Sequence, residues 1–177
     1  MASIITATTT SGLTQSADNS GVLQLASGTG NLVTVPSVTG TAMVSGNMPA
    51  FSAYNSTGTS LTGSANTKVL FQTEEFDTNS NFASSTFTPT VAGYYQITAN
   101  VQWGTATESQ CYIYKNGSNF KQGTNIATST KGCAITALIY MNGTTDYLEI
   151  YVFVGSTYTT QTGATTTYFQ GCLVRAA

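Results

Sequence analysis

The sequence contains no histidine, only one tryptophan and three prolines, and just five basic and seven acidic side chains in 177 residues. Without histidine there is no side chain that titrates unperturbed near neutrality, no imidazole ligand for zinc and no Ser/His or Cys/His pair, so no catalytic residue is expected. Five lysines and arginines are too few to neutralise a track of phosphates, which argues against a nucleic-acid partner. The charged fraction is 7%, against roughly 25% in ordinary soluble domains. Charge-driven disorder is excluded as well, because disordered chains are rich in charge and poor in aromatics and this one is 11% aromatic. No run approaches the ~18 consecutive apolar residues of a membrane span, so no membrane partner is expected. The opening Met1-Ala2-Ser3-Ile4-Ile5-Thr6 lacks the basic and long apolar regions of a secretion signal, and the expected place of synthesis and assembly is the cytoplasm.

What is present points to strands. Threonine is the commonest residue, and with Tyr, Phe, Val and Ile it favours extended backbone, while 17 glycines and many asparagines supply turns. An uncharged, Thr-rich surface offers little repulsion against self-association, which suits a chain that covers itself with copies or with a larger assembly. Three cysteines, Cys111, Cys133 and Cys172, cannot all pair within one chain; each lies among apolar neighbours in an expected strand and is read as a buried free thiol.

Charge and aromatics divide the chain. Residues 1–67 carry one charged side chain, Asp18, and residues 1–48 carry no aromatic. A segment without Phe, Tyr or Trp lacks the side chains that supply most of the buried area in small domains. Within it, Gly21-Val22-Leu23-Gln24-Leu25 and Asn31-Leu32-Val33-Thr34-Val35 flank Gly28-Thr29-Gly30, the pattern of a β-hairpin. A lone hairpin is marginal in water, so residues 1–48 are read as an arm that orders against something else, the alternative being a disordered leader. Residues 49–177 form the expected folded domain.

In that domain residues 92–103 alternate, with Tyr95, Ile97, Ala99, Val101 and Trp103 on one side and Gln96, Thr98, Asn100 and Gln102 on the other, as in a half-buried antiparallel strand. Residues 111–114 form a second strand closed by Asn116-Gly117, a strong hairpin signal. Further strands are predicted over 133–141, 147–154 and 169–174, and weaker ones over 51–54, 69–72 and 84–87. No segment shows a capped 3.6-residue apolar period, so the prediction is an all-β jelly-roll sandwich.

Chemistry-bearing clusters are few. Residues 74–77, Glu74-Glu75-Phe76-Asp77, could hold a carboxylate pair or donate oxygens to calcium, but also read as a solvated loop. Lys115, Lys121 and Lys131 lie near turns, as expected of edge protection. Tyr112, Tyr114, Tyr147, Tyr151 and Tyr158 could either form an aromatic contact surface or pack inside the fold. No metal or other cofactor is expected.

Three runs then point to a known family: Pro49-Ala50-Phe51-Ser52-Ala53; Phe76-Asp77-Thr78-Asn79-Ser80-Asn81-Phe82; and Phe87-Thr88-Pro89-Thr90-Val91-Ala92-Gly93-Tyr94-Tyr95. With Tyr112-Ile113-Tyr114-Lys115-Asn116-Gly117, Asp146-Tyr147-Leu148 and the terminal Phe169-Gln170-Gly171-Cys172-Leu173, residues 49–177 resemble the globular head of the C1q/TNF-like superfamily. The resemblance implies a jelly roll of about ten strands that assembles as a homotrimer with its inner sheet on a three-fold axis. It would place Gln96, Thr98, Asn100, Ile135, Ile139 and Phe169 at the trimer interface, with Tyr95, Ile97 and Leu138 filling the sandwich; the polar side of residues 92–103 could instead face water. No collagen-like or coiled-coil stalk precedes the head, unlike the secreted members. The leader, Ala7-Thr8-Thr9-Thr10-Ser11-Gly12-Leu13 and the stretch through Leu25, is similar to openings of bacteriophage virion proteins. The resulting expectation is a trimeric capsid decoration (cement) protein, assembled in the host cytoplasm and located on the capsid surface. Its arm, through Leu13, Val22, Leu23, Leu25, Leu32, Val33 and Val35, would contact the major capsid protein or another virion protein. A fibre receptor-binding knob and a secreted C1q-like recognition module are the alternatives.

Overall fold

A computed structural model describes residues 23–26, 32–35, 46 and 48–177, with 23–26, 32–35 and 128–129 described by their backbone only. The chain divides into two units, Met1–Thr41 and Ala42–Ala177. In the first, β1 (Leu23–Ala26) and β2 (Leu32–Val35) pair antiparallel, Leu23 opposite Val35 and Ala26 opposite Leu32, which is the hairpin read from the sequence. Leu13 and Val22 lie outside the described residues.

The second unit consists of β3 (Ala50–Tyr54), β4 (Ser60–Leu61), β5 (Ala65–Lys68), β6 (Thr73–Asp77), β7 (Phe82–Ala83), β8 (Thr86–Phe87), β9 (Gly93–Lys115), β10 (Ser118–Met141), β11 (Leu148–Val154), β12 (Tyr158–Thr159) and β13 (Tyr168–Ala176). Two strands far longer than any sequence window suggested organise it. The first half of β9 pairs with β13 and with the end of β10, and its second half pairs with β11 and with the start of β10. Both strands therefore run through two layers, one ordered β6-β3-β13-β9-β10 and the other β10-β9-β11-β8-β7. The tight turn joining them is Asn116-Gly117, with φ of 54° and 77°, the mirror-image geometry that matches the twist of paired strands.

The core lies between the layers. Phe51, Phe82, Phe87 and Phe169 stack or meet edge to face with centroids 4.3–5.8 Å apart, above Tyr95, Ile97, Val101, Trp103, Ile113, Ile150 and Val152. Tyr95 keeps its hydroxyl usable in this setting by donating to the Val91 carbonyl at 2.7 Å, and burial pushes its pKa up to about 12. Because β10 belongs to both layers, its halves converge at one side of the sandwich. There the Thr124 hydroxyl donates to the Ala134 carbonyl at 2.9 Å and accepts from the Ala134 amide at 3.1 Å, in place of a strand neighbour. A Cβ on Gly123 would stand 2.5 Å from that carbonyl oxygen, so the closure requires glycine.

Three strand predictions change. Residues 69–72 leave the ladder after the Val69 amide, which donates to the Ile150 carbonyl of β11 at 2.9 Å: Val69 and Phe71 are buried, while the Leu70 and Phe71 amides bond to the Thr59 and Ser85 hydroxyls at 3.0 and 2.7 Å. Of residues 84–87 only Thr86 and Phe87 are strand, because Ser84 and Ser85 take φ of 50° and 60° and make the turn from β7. Residues 104–110 and 118–132, absent from the predicted strands, belong to β9 and β10. Cys111 and Cys133 are buried as expected; Cys172 is exposed. A hydrogen bond from the Cys133 thiol to Cys111 and then burial raise the Cys133 pKa, so it stays protonated.

Candidate functional site

Residues directly opposite each other in an antiparallel pair point to the same side of the sheet. In β9, Tyr95, Ile97, Ala99, Val101 and Trp103 are fully buried, so Tyr94, Gln96, Thr98, Asn100 and Gln102 point outward. The register carries that side across the layer. Tyr140, Leu138 and Thr136 of β10 lie opposite Tyr94, Gln96 and Thr98. Tyr168, Gln170 and Cys172 of β13 lie opposite Asn100, Thr98 and Gln96, Ser52 lies opposite Gln170, and Phe76 lies opposite Ser52.

The middle of this outward face is polar and internally bonded. Gln96 donates its amide to the Thr136 hydroxyl at 2.7 Å, the Thr98 and Thr136 hydroxyls are 3.1 Å apart, and Thr136 donates to the Ile97 carbonyl at 3.2 Å. Asn100 donates to the Thr166 carbonyl. Around that centre sit large apolar side chains open to solvent. Leu138 is 55% exposed and Val174 is 58% exposed, together with Tyr94 and Tyr140, whose rings meet at 5.5 Å, and with Phe76 towards β6. One shallow groove runs between Tyr94, Leu138, Val174 and Arg175, and another between Phe76, Gln96, Gln170 and Cys172. Covering a large aliphatic or aromatic side chain contributes about 1.5–3 kcal/mol, and a cluster of such side chains on one face marks a contact surface.

The residues expected at an interface separate into two groups. Gln96, Thr98 and Asn100 lie on the outward face. Ile135, Ile139 and Phe169 do not: Ile139 stands opposite Tyr95, and both Ile135 and Phe169 stand opposite Ala99, so all three fill the core. Leu138, assigned to the core from sequence, is correspondingly on the outside. The error is one of parity. β9 and β10 slip past each other at four irregularities between Asn119 and Gly132, and no local pattern reveals how many residues are absorbed there. Tyr140 was missed for the same reason; Tyr94 was legible by alternation from Tyr95, and Val174 and Phe76 lie on β13 and β6, beside irregularities of their own pairing between Leu173 and Arg175 and between Ser52 and Ala53.

The other candidate clusters lie apart from this centre. Glu75 accepts from the Ser52 hydroxyl at 2.7 Å, and Asp77 accepts from the Phe82 and Asn79 amides at 2.7 and 3.3 Å, capping the turn after β6. Among the described residues no three His, Cys, Asp or Glu side chains are grouped to hold a metal ion. Tyr112, Tyr114 and Tyr151 come together on the other layer, Tyr114 stacked on Tyr151 at 3.9 Å, and burial raises the pKa of Tyr112 and Tyr151. Tyr158 is elsewhere, on β12 opposite Leu61. Lys115 forms an ion pair with Asp146 at 2.8 Å, whereas Lys121 and Lys131 lie exposed on β10.

No protein-family model matches the sequence, and no curated protein matches it. Solved structures do. Murine APRIL at pH 8.0 superposes with a TM-score of 0.57 at 12% identity, covering 72% of this chain and 99% of that one. The globular domain of zebrafish complement 1qA gives 0.53 at 17% identity, covering 73% and 99%. Vertex protein P5 of phage PRD1 gives 0.54 at 19% identity, covering 72% and 97%. With β13 between β3 and β9, and with β9 and β10 spanning both layers, the chain has the C1q/TNF-like jelly-roll fold.

Proposed function

We propose that the chain is a homotrimeric virion structural protein that decorates a capsid. Three copies close around the outward face of the β6-β3-β13-β9-β10 layer, and the arm attaches the trimer to the shell. The observation that carries the reading is that face itself, where Tyr94, Leu138, Tyr140, Val174 and Phe76 stand exposed on a protein with very little surface charge. Gln96, Thr98 and Asn100 line its polar centre. The likeness to a vertex protein supports a place on a virion, and the likeness to the complement head supports a binding or structural module rather than an enzyme.

The arm carries the attachment. Leu23, Leu25, Val33 and Val35 share one face of the β1–β2 pair by register, and with Leu13, Val22 and Leu32 they supply apolar surface to the major capsid protein or another virion protein. Unpaired strand edges allow main-chain addition to the shell. Three arms on one trimer convert weak attachments into a strong one, and binding only the assembled shell stabilises it. The test is co-sedimentation with empty capsids. The full chain pellets with them at a copy number comparable to the major capsid protein, while residues 49–177 alone stay in the supernatant as a soluble trimer. Pelleting of residues 49–177 would remove the role of the arm, and only tens of copies per virion would favour a fibre tip.

A further inference from the structure

A ring of three needs two different surfaces on each protomer, one to give and one to receive, because a three-fold contact cannot be made by the same patch on both sides. The few charges of this chain are arranged to supply them. Lys68 pairs with Glu149 at 2.7 Å and Lys115 with Asp146 at 2.8 Å, and both pairs are internal to the protomer. Of the other charged side chains in the second unit, Glu108 lies where β9 crosses to the other layer, and Arg175 lies near the end of β13 opposite Tyr94. The remaining ones separate by sign onto opposite sides of the sandwich. Glu74, Glu75 and Asp77 lie on β6, which among the described residues pairs only with β3, and Lys121 and Lys131 lie on the first half of β10, which among them pairs only with β9.

Apolar side chains accompany each sign. Phe76 is exposed beside Glu74 and Glu75, and Phe120 and Ile126 are exposed on β10, with the Lys121 ammonium 5.3 Å from the Phe120 ring. Neither Lys121 nor Lys131 belongs to an ion pair among the described residues. The acidic edge thus continues the outward apolar face on one side, while Lys121 and Ile126, opposite Ile113 and Ser109 of β9, edge the other layer on the far side, where the two halves of β10 converge through Thr124 and Ala134. On a surface with so little charge, such a separation repels wrong pairings and favours one.

We infer that the occupant of this face is a second copy of the chain, set head to tail so that the β10 edge of one protomer, with Phe120, Lys121, Ile126 and Lys131, lies against the β6 edge of the next, with Glu74, Glu75 and Phe76. The inference rests on the trimer reading above and adds the direction of the ring and the residues that choose the neighbour. Apolar cover supplies the affinity, and the charges supply the register and the rate of encounter.

The experiment measures trimer dissociation of the full-length chain by sedimentation at about 50 mM and about 0.5 M salt, where exposed pairs are respectively felt and largely screened. Reversing one edge, by Glu74→Lys with Glu75→Lys or by Lys121→Glu with Lys131→Glu, is expected to raise the dissociation constant about tenfold at low salt. The loss shrinks at high salt. The chain carrying all four reversals is expected to return close to wild type, which also shows that the reversals permit folding. A milder pair, Glu74→Gln and Lys131→Gln, weakens the trimer in the same direction should the Ser52–Glu75 bond prove necessary for folding. A trimeric wild type indifferent to every reversal, or a four-site exchange no better than either half, overturns the proposal alone. A wild type that remains monomeric at all salts removes the trimer reading and this proposal together.

Discussion

At the scale of single residues the clearest case is Asp146, one carboxylate that fastens two turns. Its Oδ1 accepts from the Asn116 amide at 2.8 Å, and its Oδ2 accepts from the Lys115 ammonium at 2.8 Å and from the Asn142 N–H at 3.0 Å. Asn142 in turn accepts from the Thr144, Thr145 and Asp146 amides at 2.9, 3.0 and 3.0 Å, so the loop after β10 is tied to the β9–β10 turn. Burial alone would raise the Asp146 pKa; the bonds from Asn116, Lys115 and Asn142 and the Lys115 charge outweigh it and hold the carboxyl below its usual range. A carboxylate depressed on folding contributes stability in full above its unfolded value of about 3.9, and that contribution is lost as the pH falls through the lower folded value. Asp146→Asn is therefore expected to cost about 1.5–3 kcal/mol at neutral pH, the range for hydrogen bonds to a charged group. It should also flatten the stability–pH curve below about pH 4, as read by denaturant midpoints across an acid series. The Asn-Gly turns beside it were legible in sequence because they need only local backbone geometry. The role of Asp146 was not, since Asn116 and Lys115 lie about thirty residues upstream and nothing local marks them as its partners.

At the scale of elements the sequence revealed strands wherever one face is apolar, and failed wherever both faces are polar or the backbone bonds to side chains. Residues 92–103 and 148–154 alternate because one side meets the core, and both were found. The continuation of β9 through Gly104, Thr105 and Ala106 has no such contrast, because those residues are exposed where the strand crosses between layers. Val69 and Phe71 read correctly as buried, but the ladder stops at the Val69 amide, and those of Leu70 and Phe71 are satisfied by Thr59 and Ser85 hydroxyls. The same crossing explains why β10 needs glycine at residue 123. An alanine Cβ there would lie 2.5 Å from the Ala134 oxygen and 2.6 Å from the Ile135 Cβ, and neither backbone can retreat without opening the side of the sandwich. Gly123→Ala is expected to destabilise by about 1–3 kcal/mol, the usual cost of overpacking, as measured by urea midpoints at fixed protein concentration. Thr124→Val, which removes the bonds to Ala134, should lower the midpoint by a smaller amount.

At the scale of the whole molecule the composition and the exposed face express one condition: a surface this poor in charge has little repulsion against association, and its exposed apolar side chains gain by being covered. Sequence alone located the strand that carries the face and the fold that presents it, but not which parity of β10 belongs to it. Two adjacent residues separate the consequences. Leu138 stands out beside Gln96, and Ile139 stands in against Tyr95. Ile139→Asp buries a carboxylate without a partner and is expected to unfold the chain, with a loss above about 4 kcal/mol and no cooperative thermal transition. Leu138→Asp touches no core contact, so a single subunit should keep its fold to within about 0.5 kcal/mol. Each contact of the proposed trimer, however, would lose about 1–2 kcal/mol of apolar cover and gain a desolvated charge, so the trimer is expected to dissociate. In scanning calorimetry the wild-type melting temperature rises with protein concentration, as it must when folding is linked to association, and that of Leu138→Asp does not. If both variants unfold, or both remain trimeric, the outward face is not where the subunits meet, because only an interface that includes Leu138 and excludes Ile139 makes neighbouring positions on one strand fail in such different ways.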